Sequence, residues 1–292
     1  MEGLREEHGR QRSRIAAGRP EAVARQHKLG KHTARERLDL LLDVGSFVEV
    51  ELYRRGTTGT HTDGVVAGSG TVDGRRVFVY AQDFTISGGS LGAAHAAKIQ
   101  KVMDLAVATG SPVVGLNDSG GARIQEGVLA LHGYGGIFQR QVRASGVVPQ
   151  IAVVLGPSAG GAAYSPALAD FTFMVRETAQ LYLTGPDIVA QVTGERVSHD
   201  DLGGADVHGS RSGVASFVHD DEKSCLEGVR ELLSFLPSNN LESPPALPSR
   251  GAGTDRRPRL AEVVPVEPNR PYDIRAVLAE IVDDGDLHRH DW

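Results

Sequence analysis

The sequence predicts an α/β fold whose strands pair mainly in parallel. Short runs rich in Val, Ile and Leu alternate along the chain with longer segments in which apolar residues recur at helical spacing. Glycine-rich loops follow two of these predicted strands and lead directly into helices, as the crossovers of a parallel sheet require. Hydrophobic residues make up 40% of the 292-residue chain, which is typical of a globular protein and argues against disorder.

Composition and charge restrict the functions that the chain can have. The formal net charge of −6 argues against nucleic acid or an anionic membrane as a partner. The single cysteine, Cys225, excludes an intramolecular disulfide and is typical of a reducing compartment. No apolar run reaches the ~20 residues that cross a bilayer, and the charged N-terminus lacks the apolar core of a signal peptide. We therefore expect a cytoplasmic protein.

The N-terminal third is predicted to hold a helical arm, a short capped helix and a hairpin. Residues 1–32 are polar and basic, without a sustained apolar stripe, and form the arm. Thr33–Glu36 has the spacing of a capping box, which opens a short helix that ends at Gly45. After a strand over 47–52, an Asp-Gly pair at 73–74 lies between two apolar runs, which is the strongest short signal for a β-hairpin.

A strand, a glycine-rich loop and a helix then recur along the chain. The loop Ser87–Gly92 leads into a helix that ends at Gly110. The loop Asn117–Arg123 follows a buried strand over 112–116 and leads into a helix over 125–145. This repetition is the main reason to expect parallel strands joined by helices.

A third unit and several shorter elements complete the prediction. Gln150–Leu155 is a strand, followed by the loop Gly156–Gly161 and a helix of small residues. The remaining predicted elements are strands at 171–175, 180–183 and 214–218, a helix from Pro186 to Gly194, another from Asp220 to Leu236, a linker or surface strap over 237–272, a helix over 273–284 that Gly285 ends, and an unpatterned tail at 287–292.

The segment Gly156–Ser165 carries the clearest chemical signal. Its glycines expose backbone N–H groups at the start of a helix, where the helix dipole also favours negative charge. Such amides suit a developing oxyanion, and glycine lets a ligand carbonyl approach closely. The alternative is a loop in which the glycines only serve a tight turn.

A serine hydrolase is a second interpretation of the same loop. Gly156-Pro-Ser158-Ala-Gly160 matches the G-x-S-x-G nucleophile elbow, and His199, His208 and His219 lie downstream. The sequence has no Walker loop, no G-x-G-x-x-G before a helix and no zinc-ligand spacing, so we expect no metal in this chain.

Seven motifs occur in an order that is typical of one enzyme family. They are KHTARERLDLLLD at 31–43, QDFTISGG at 82–89, NDSGGARIQEG at 117–127, ASGVVPQ at 144–150, SAGGAAYS at 158–165, LTGP at 183–186 and FLPSNN at 235–240. From about residue 15 to residue 286, the sequence closely resembles the carboxyltransferase β subunits of biotin-dependent acyl-CoA carboxylases, such as propionyl-CoA carboxylase.

The resemblance implies an enzyme with a crotonase-like (ClpP/crotonase) fold, a spiral of ββα units. Residues 33–286 would form the acyl-CoA-binding N-terminal domain of the carboxyltransferase. Adjacent amides of the glycine loop, those of Gly160 and Gly161, would be the catalytic groups that hold the thioester oxygen. Carboxybiotin on a partner's carrier domain would supply the carboxyl group to acetyl- or propionyl-CoA, so no nucleophilic side chain is needed.

By the same resemblance, three loops would bind the substrate. The residues expected to line the acyl-CoA site are Ser87, Gly88, Gly89, Ser119, Gly120, Gly121, Ala122, Arg123, Ser158, Ala159 and Tyr164. For Arg123 and Glu126, an ion pair that shapes the loop is an equal alternative. Lys98 and Lys101 would form a solvated helix face, or one of them would contact a phosphate of a coenzyme A ligand.

The sequence also departs from the family, whose members continue through a second, biotin-binding half. We expect a fragment of a longer enzyme, a split enzyme whose partner supplies that half, or a repurposed acyl-CoA-binding protein. The expected partners are acyl-CoA, a biotin carboxylase or biotin carrier subunit, the missing half, and further copies of the chain in a homo-oligomer. Decarboxylation of malonyl- or methylmalonyl-CoA and a non-catalytic CoA-binding module are the functional alternatives.

Overall fold

The structure, a computed structural model, describes residues 2–57, 59–246 and 257–282. The chain divides into two units, one reaching to Pro244 and one beginning at Pro245. This division falls within the segment 237–272, which the sequence predicts as a linker or strap. Within the described ranges, none of the helices combines the length and the apolar character that a membrane crossing requires.

The first unit is built on a sheet of eight strands. Their order is β1-β2-β3-β4-β5-β6-β8, and β7 pairs with the end of β5. The pairs β1–β2 and β2–β3 are antiparallel and all the others are parallel, as the sequence predicts. The strands are β1 (Val48–Glu49), β2 (Val65–Val72), β3 (Arg75–Gln82), β4 (Val113–Ser119), β5 (Gln150–Ala159), β6 (Phe171–Val175), β7 (Gln180–Tyr182) and β8 (Phe217–His219).

Helices precede the sheet, connect its strands and follow it. In the first unit they are α1 (Glu2–Ala17), α2 (Pro20–Lys28), α3 (Ala34–Leu41), α4 (Ala93–Thr109), α5 (Val128–Ala144), α6 (Gly161–Ala167), α7 (Pro186–Thr193), α8 (His199–Gly203), α9 (Ala205–Val207) and α10 (Glu222–Phe235). The helices α1 and α2 lie within the predicted arm.

The second unit contains α11 (Arg257–Val263) and α12 (Ile274–Ile281). Asp273 caps α12, since its carboxylate accepts a hydrogen bond from the Arg275 N–H at 2.9 Å. The helix α11 lies inside the predicted strap. The helix predicted over 273–284 is shorter in the structure, because α12 ends at Ile281 and Val282 is already extended. Gly285 and the predicted tail at 287–292 lie outside the described residues.

Two local predictions near the N-terminus are confirmed. Asp73 and Gly74 both have positive φ, as the tight turn of a two-residue hairpin requires, and β2 and β3 pair on either side of them. The Thr33 hydroxyl accepts from the Glu36 N–H while the Glu36 carboxylate accepts from the Thr33 N–H, which is a complete capping box at the start of α3.

The sheet has an apolar core on each face. On one face, α3 and α10 pack against side chains such as Val79, Leu116 and Val153. On the other, α4 and α5 pack against alternating residues of the same strands, such as Tyr80. Burial on both faces explains why the central strands appear as continuous apolar runs in the sequence.

Two strands run further than the sequence predicts. β4 continues from Leu116 to Ser119, and β5 continues from Leu155 to Ala159. Asn, Asp, Gly, Pro and Ser at these positions are locally turn formers, which is why a loop was the expectation. Pairing overrides that preference, because Ser119 pairs with Ser158, and 157–159 pairs with β7.

Smaller corrections concern element ends. The strand expected over 47–52 is only the two-residue β1, and the strand expected over 214–218 begins at Phe217. The cap of α10 is Asp221, whose side chain accepts from the Ser224 N–H, and not Asp220. The helix predicted to open at Pro186 and end at Gly194 is confirmed as α7.

Candidate functional site

Three loops meet at one edge of the sheet. β3, β4 and β5 are adjacent and parallel, so their carboxyl ends lie at the same edge. The loops that follow them are 83–92, 120–127 and the turn at Gly160, and we call them the site loops. The first two are tied together, since Ser119 Oγ donates to the Gly89 carbonyl at 2.7 Å and the Gly120 N–H donates to the Gly88 carbonyl at 3.0 Å.

The first site loop contains a left-handed triplet. Ser87, Gly88 and Gly89 have φ of 51°, 61° and 62°. A Cβ on Gly89 would overlap the backbone carbonyl oxygen of Asp118, so only glycine allows the two loops to approach this closely. A Cβ on Gly88 would meet nothing nearer than the Phe84 ring at 3.9 Å.

The turn after β5 gives its two glycine amides different roles. Gly160 has φ 58° and ψ −125°, and its N–H donates to the Tyr182 carbonyl at 3.2 Å. Gly161 is the first residue of α6, where an amide has no carbonyl partner within the helix. Of the two adjacent amides that the sequence predicts as oxyanion donors, the Gly160 amide is therefore already hydrogen-bonded to β7, and the Gly161 amide remains.

The second site loop has an amide that takes no part in its pairing with the first site loop. The Leu91 N–H donates to the Gly121 carbonyl and the Arg123 N–H donates to the Leu91 carbonyl, each at 2.9 Å. Since alternate residues of a parallel pair point their backbone groups to opposite sides, the Ala122 N–H points away from Leu91. Sequence reasoning placed Ala122 only among the substrate contacts, because its pairing with Leu91 cannot be read from the motif.

Arg123 is buried in an ion cluster that shapes the second loop. Its Nη1 lies 2.8 Å from both Asp63 Oδ1 and Glu126 Oε1, and its side chain is 3% exposed. The Glu126 carboxylate also accepts from the Ala93 N–H at 2.7 Å and the Thr57 hydroxyl at 2.7 Å. Of the two alternatives for Arg123 and Glu126, the structure has the ion pair.

A cleft of about 460 Å³ opens beside the first site loop. Ser87, Gly88 and Phe84 line one side of it, and Arg19 and Arg25 of the arm lie on the other. Tyr164 of α6 is half exposed and packs near Phe138 of α5, with ring centroids 5.6 Å apart. Gly120, Ala122, Ala159 and Gly161 are all at least partly exposed, so main chain is accessible along this edge.

Comparison with known proteins identifies the family. Residues 25–291 match the carboxyl transferase domain. The chain belongs to this family. A propionyl-CoA carboxylase beta chain of Saccharopolyspora erythraea is 53% identical over 290 residues, which cover 94% of this chain and 53% of that protein. A methylmalonyl-CoA decarboxylase subunit alpha of Veillonella parvula is 50% identical over 281 residues, covering 94% of this chain and 55% of that protein.

Solved structures agree with the sequence comparison. A transcarboxylase 12S structure, described as a hexamer with hydrolysed methylmalonyl-coenzyme A bound, matches with a TM-score of 0.94 and 45% identity, covering 98% of this chain and 57% of that one. The expected crotonase-like fold is thereby confirmed. The chain spans about half the length of the curated relatives that it matches.

The hydrolase interpretation finds no support in this carboxyl transferase domain. The Ser158 side chain is fully buried, and its Oγ has no hydrogen-bond partner. His208 Nε2 contacts the Leu181 carbonyl, and His199 Nδ1 contacts the Tyr182 hydroxyl at 2.7 Å. Without a histidine at its hydroxyl, Ser158 is not an activated nucleophile.

The two lysines of α4 differ from each other. Lys98 is fully buried and donates to the carbonyls of Thr62 and Val65, and burial lowers its pKa to about 8. The interpretations of Lys98 as a solvated residue and as a phosphate ligand are both wrong in this structure. Lys101 is partly exposed and pairs with Glu51 at 2.9 Å. In the portion of the chain that the structure covers, no cluster of three or more His, Cys, Asp or Glu residues could hold a metal ion.

Proposed function

We propose that the chain is the acyl-CoA half of a biotin-dependent carboxyltransferase, in which main-chain amides hold the oxygen of a thioester enolate. The observation that carries the proposal is the placement of two amides, those of Ala122 and Gly161, at the carboxyl ends of adjacent strands. The Ala122 N–H points away from Leu91, the Gly161 N–H has no partner within α6, and each belongs to a partly exposed residue.

The proposed donors differ in one respect from those that the sequence suggests. Gly161 remains a donor, but Ala122 replaces Gly160, because the Gly160 amide is bonded to Tyr182. The Gly160 contact then acts indirectly, since it holds the first turn of α6 so that the Gly161 N–H points out of the helix. The positive end of the α6 dipole adds to the same effect.

The chemistry follows from these donors. Loss of a proton from the α-carbon of the thioester leaves negative charge on its oxygen, which two fixed amides stabilise. Carboxybiotin on a partner's carrier domain would release CO2, its ureido nitrogen would then take up that proton, and the α-carbon of the enolate would form the new bond to CO2. The amides at this edge are neutral, the buried Ser158 has no hydrogen-bond partner and the buried Ser119 donates to the Gly89 carbonyl, so the residues fit a reaction whose base lies on the other reactant.

The site loops would bind the rest of the substrate. Ser87, Gly88 and Gly89 lie beside the cleft, where Arg19 and Arg25 offer positive charge to the phosphates of coenzyme A. The other proposed contacts come from the ends of β4 and β5 and from α6. They are Ser119, Gly120, Gly121, Ala122, Ala159 and Tyr164. For Arg123 and Ser158, burial restricts the proposed role to support of the loops.

Catalysis would need a second half and carrier partners. Because the chain spans about half of its relatives' length, we propose that a partner chain or a further segment supplies the biotin-binding half. A biotin carboxylase or biotin carrier subunit would deliver the carboxyl group. The hexamer described for transcarboxylase 12S supports assembly of several copies.

The test measures polarisation of a bound thioester. Propionyl-CoA labelled with 13C at its carbonyl should show a changed carbonyl resonance on binding, because two amides withdraw electron density from the oxygen. Ala122→Pro removes one N–H and should abolish most of that change, whereas Ala122→Ser keeps the N–H and should retain it. Loss of one oxyanion donor also costs about 3–4 kcal/mol of transition-state stabilisation in a complete enzyme. An unchanged resonance in the parent protein would contradict the proposal.

Decarboxylation of methylmalonyl- or malonyl-CoA is the second candidate. It is favoured by the 50% identity to a methylmalonyl-CoA decarboxylase subunit, and the same amides would hold the same enolate. Release of propionyl-CoA from methylmalonyl-CoA by the assembled complex, without a biotin carboxylase, would distinguish this direction from carboxylation.

A further inference from the structure

A lysine of the N-terminal arm touches the ends of all three strands that carry the site loops. Lys31 Nζ donates to Asp118 Oδ1 of β4 at 2.8 Å. It lies 4.5 Å from the ring centroid of Phe84, which follows β3. A Cβ on Gly156 of β5 would come within 2.5 Å of the same nitrogen. One ammonium group thus lies in contact with three chain segments that are far apart in the sequence.

The acceptor of this lysine is a buried carboxylate. Asp118 is fully buried, and its second oxygen accepts from Gln26 Nε2 at 3.2 Å and Arg37 Nη1 at 2.9 Å. Arg37 in turn pairs with Glu222 of α10. Two cations and two anions therefore balance, and Lys31 is the donor that faces Asp118 Oδ1.

Asp118 is joined to the site loops by its main chain. Its N–H donates to Gln82 Oε1 at 3.1 Å, at the end of β3. Its carbonyl oxygen occupies the space that a side chain at Gly89 would need. The next residue, Ser119, bonds the Gly89 carbonyl. A shift of the Asp118 side chain would thus move the second site loop and, through Gly89, the first.

Gly156 of β5, the strand that carries the third site loop, leaves space for the Lys31–Asp118 pair. A side chain at Gly156 would overlap the Asp118 carboxylate as well as the lysine. The neighbouring carbonyl of Leu155 accepts from Arg37 Nη2 at 3.3 Å. The position of β5 near its end therefore depends on the same cluster of charges.

We propose that Lys31 is a positioning residue for the acyl-CoA site. Lys31 contacts Asp118 and Phe84 and occupies the space beside Gly156. These contacts couple packing of the N-terminal arm to the conformation of the three site loops. The inference rests on the proposed function only in naming acyl-CoA as the ligand that those loops hold. The coupling itself is a property of the described contacts.

The test combines local hydrogen exchange with ligand binding. Lys31→Met keeps the length of the stem and removes the charge, and Lys28→Met is the matched control, because Lys28 is exposed on the same arm. In Lys31→Met, amide exchange should rise by about tenfold or more in residues 84–89, 118–123 and 156–161 together, with the helices far from the site unchanged. The dissociation constant for propionyl-CoA, measured by calorimetry, should rise by a similar factor. Lys28→Met should change neither quantity.

Two further variants separate positioning from general stability. Lys31→Arg keeps the charge and should restore slow exchange in part, and Lys31→Met should have little further effect in an Asp118→Asn background. If Lys31→Met does not fold, Lys31→Gln, which keeps a donor, takes its place. Exchange that stays unchanged in the three segments, or rises uniformly over the first unit, would overturn the proposal. If the parent protein binds no propionyl-CoA while the exchange pattern is as expected, the proposed function fails and the positioning role stands.

Discussion

Replacement of Gly89 by alanine should destabilise the first unit far more than replacement of Gly88. Both residues have φ near 61°, so a Cβ at either position carries the same left-handed penalty of about 1–2 kcal/mol. Only at Gly89 does the added carbon overlap the Asp118 carbonyl oxygen, which adds an overpacking cost of about 1–3 kcal/mol. We expect losses of about 2–5 kcal/mol for Gly89→Ala and about 1–2 kcal/mol for Gly88→Ala.

Urea unfolding, followed by far-UV circular dichroism, measures the two free energies of unfolding. The transition midpoints should separate while the slopes stay equal, because neither variant changes the surface exposed on unfolding. Propionyl-CoA binding should weaken more in Gly89→Ala than in Gly88→Ala. Equal destabilisation by the two variants would show that the first and second site loops are not in the close contact described, and the geometry of the site would have to be reconsidered.

Three further variants test separate features. Burial lowers the pKa of His95 from 6.5 to about 3, so between these two pH values the unfolded chain binds a proton at this imidazole and the folded chain does not. The free energy of unfolding should therefore fall as the pH drops from 6.5 to about 3. His95→Gln should flatten this dependence, as urea midpoints at pH 7 and pH 5 would reveal. Thr33→Ala removes the capping box of α3 and should cost about 1 kcal/mol in the same assay, with no loss of ligand affinity. Ser158→Ala should leave the free energy of unfolding unchanged or slightly higher, because the buried hydroxyl has no partner. A fluorophosphonate probe should label neither the parent protein nor this variant. Labelling of the parent at Ser158 would support the hydrolase interpretation.

The parts of the fold that local chemistry determines could be predicted from the sequence. The capping box at Thr33–Glu36, the Asp-Gly hairpin and the opening of α7 at Pro186 each depend on residues within a few positions of one another. The ends of β4 and β5 could not be predicted in this way. Their residues favour turns locally, and only pairing with a neighbouring strand keeps them extended.

The candidate site could also be predicted only in part. The glycine positions of the site loops followed from motifs, and their placement at one sheet edge followed from parallel pairing. The direction of each N–H group could not be predicted from motifs, because the hydrogen bond from Gly160 to Tyr182 depends on a contact across the sheet. The burial of Lys98 cannot be predicted for a similar reason, since helical spacing alone does not show that residues 62–65 cover that face of α4.

The pairing of Arg37 with Glu222 also has a consequence for synthesis of the chain. The two residues are 185 positions apart, so at ~5–20 residues per second the arginine emerges roughly 10–40 s before its partner. Before Glu222 is made, Asp118 alone balances the two buried cations Lys31 and Arg37, and an unbalanced buried charge is costly, so we expect α3 to pack less stably against the sheet during this interval. We therefore expect the apolar side chains that α3 covers in the finished protein, together with Leu38 and Leu41 of α3 itself, to stay accessible to chaperones until α10 has left the ribosome.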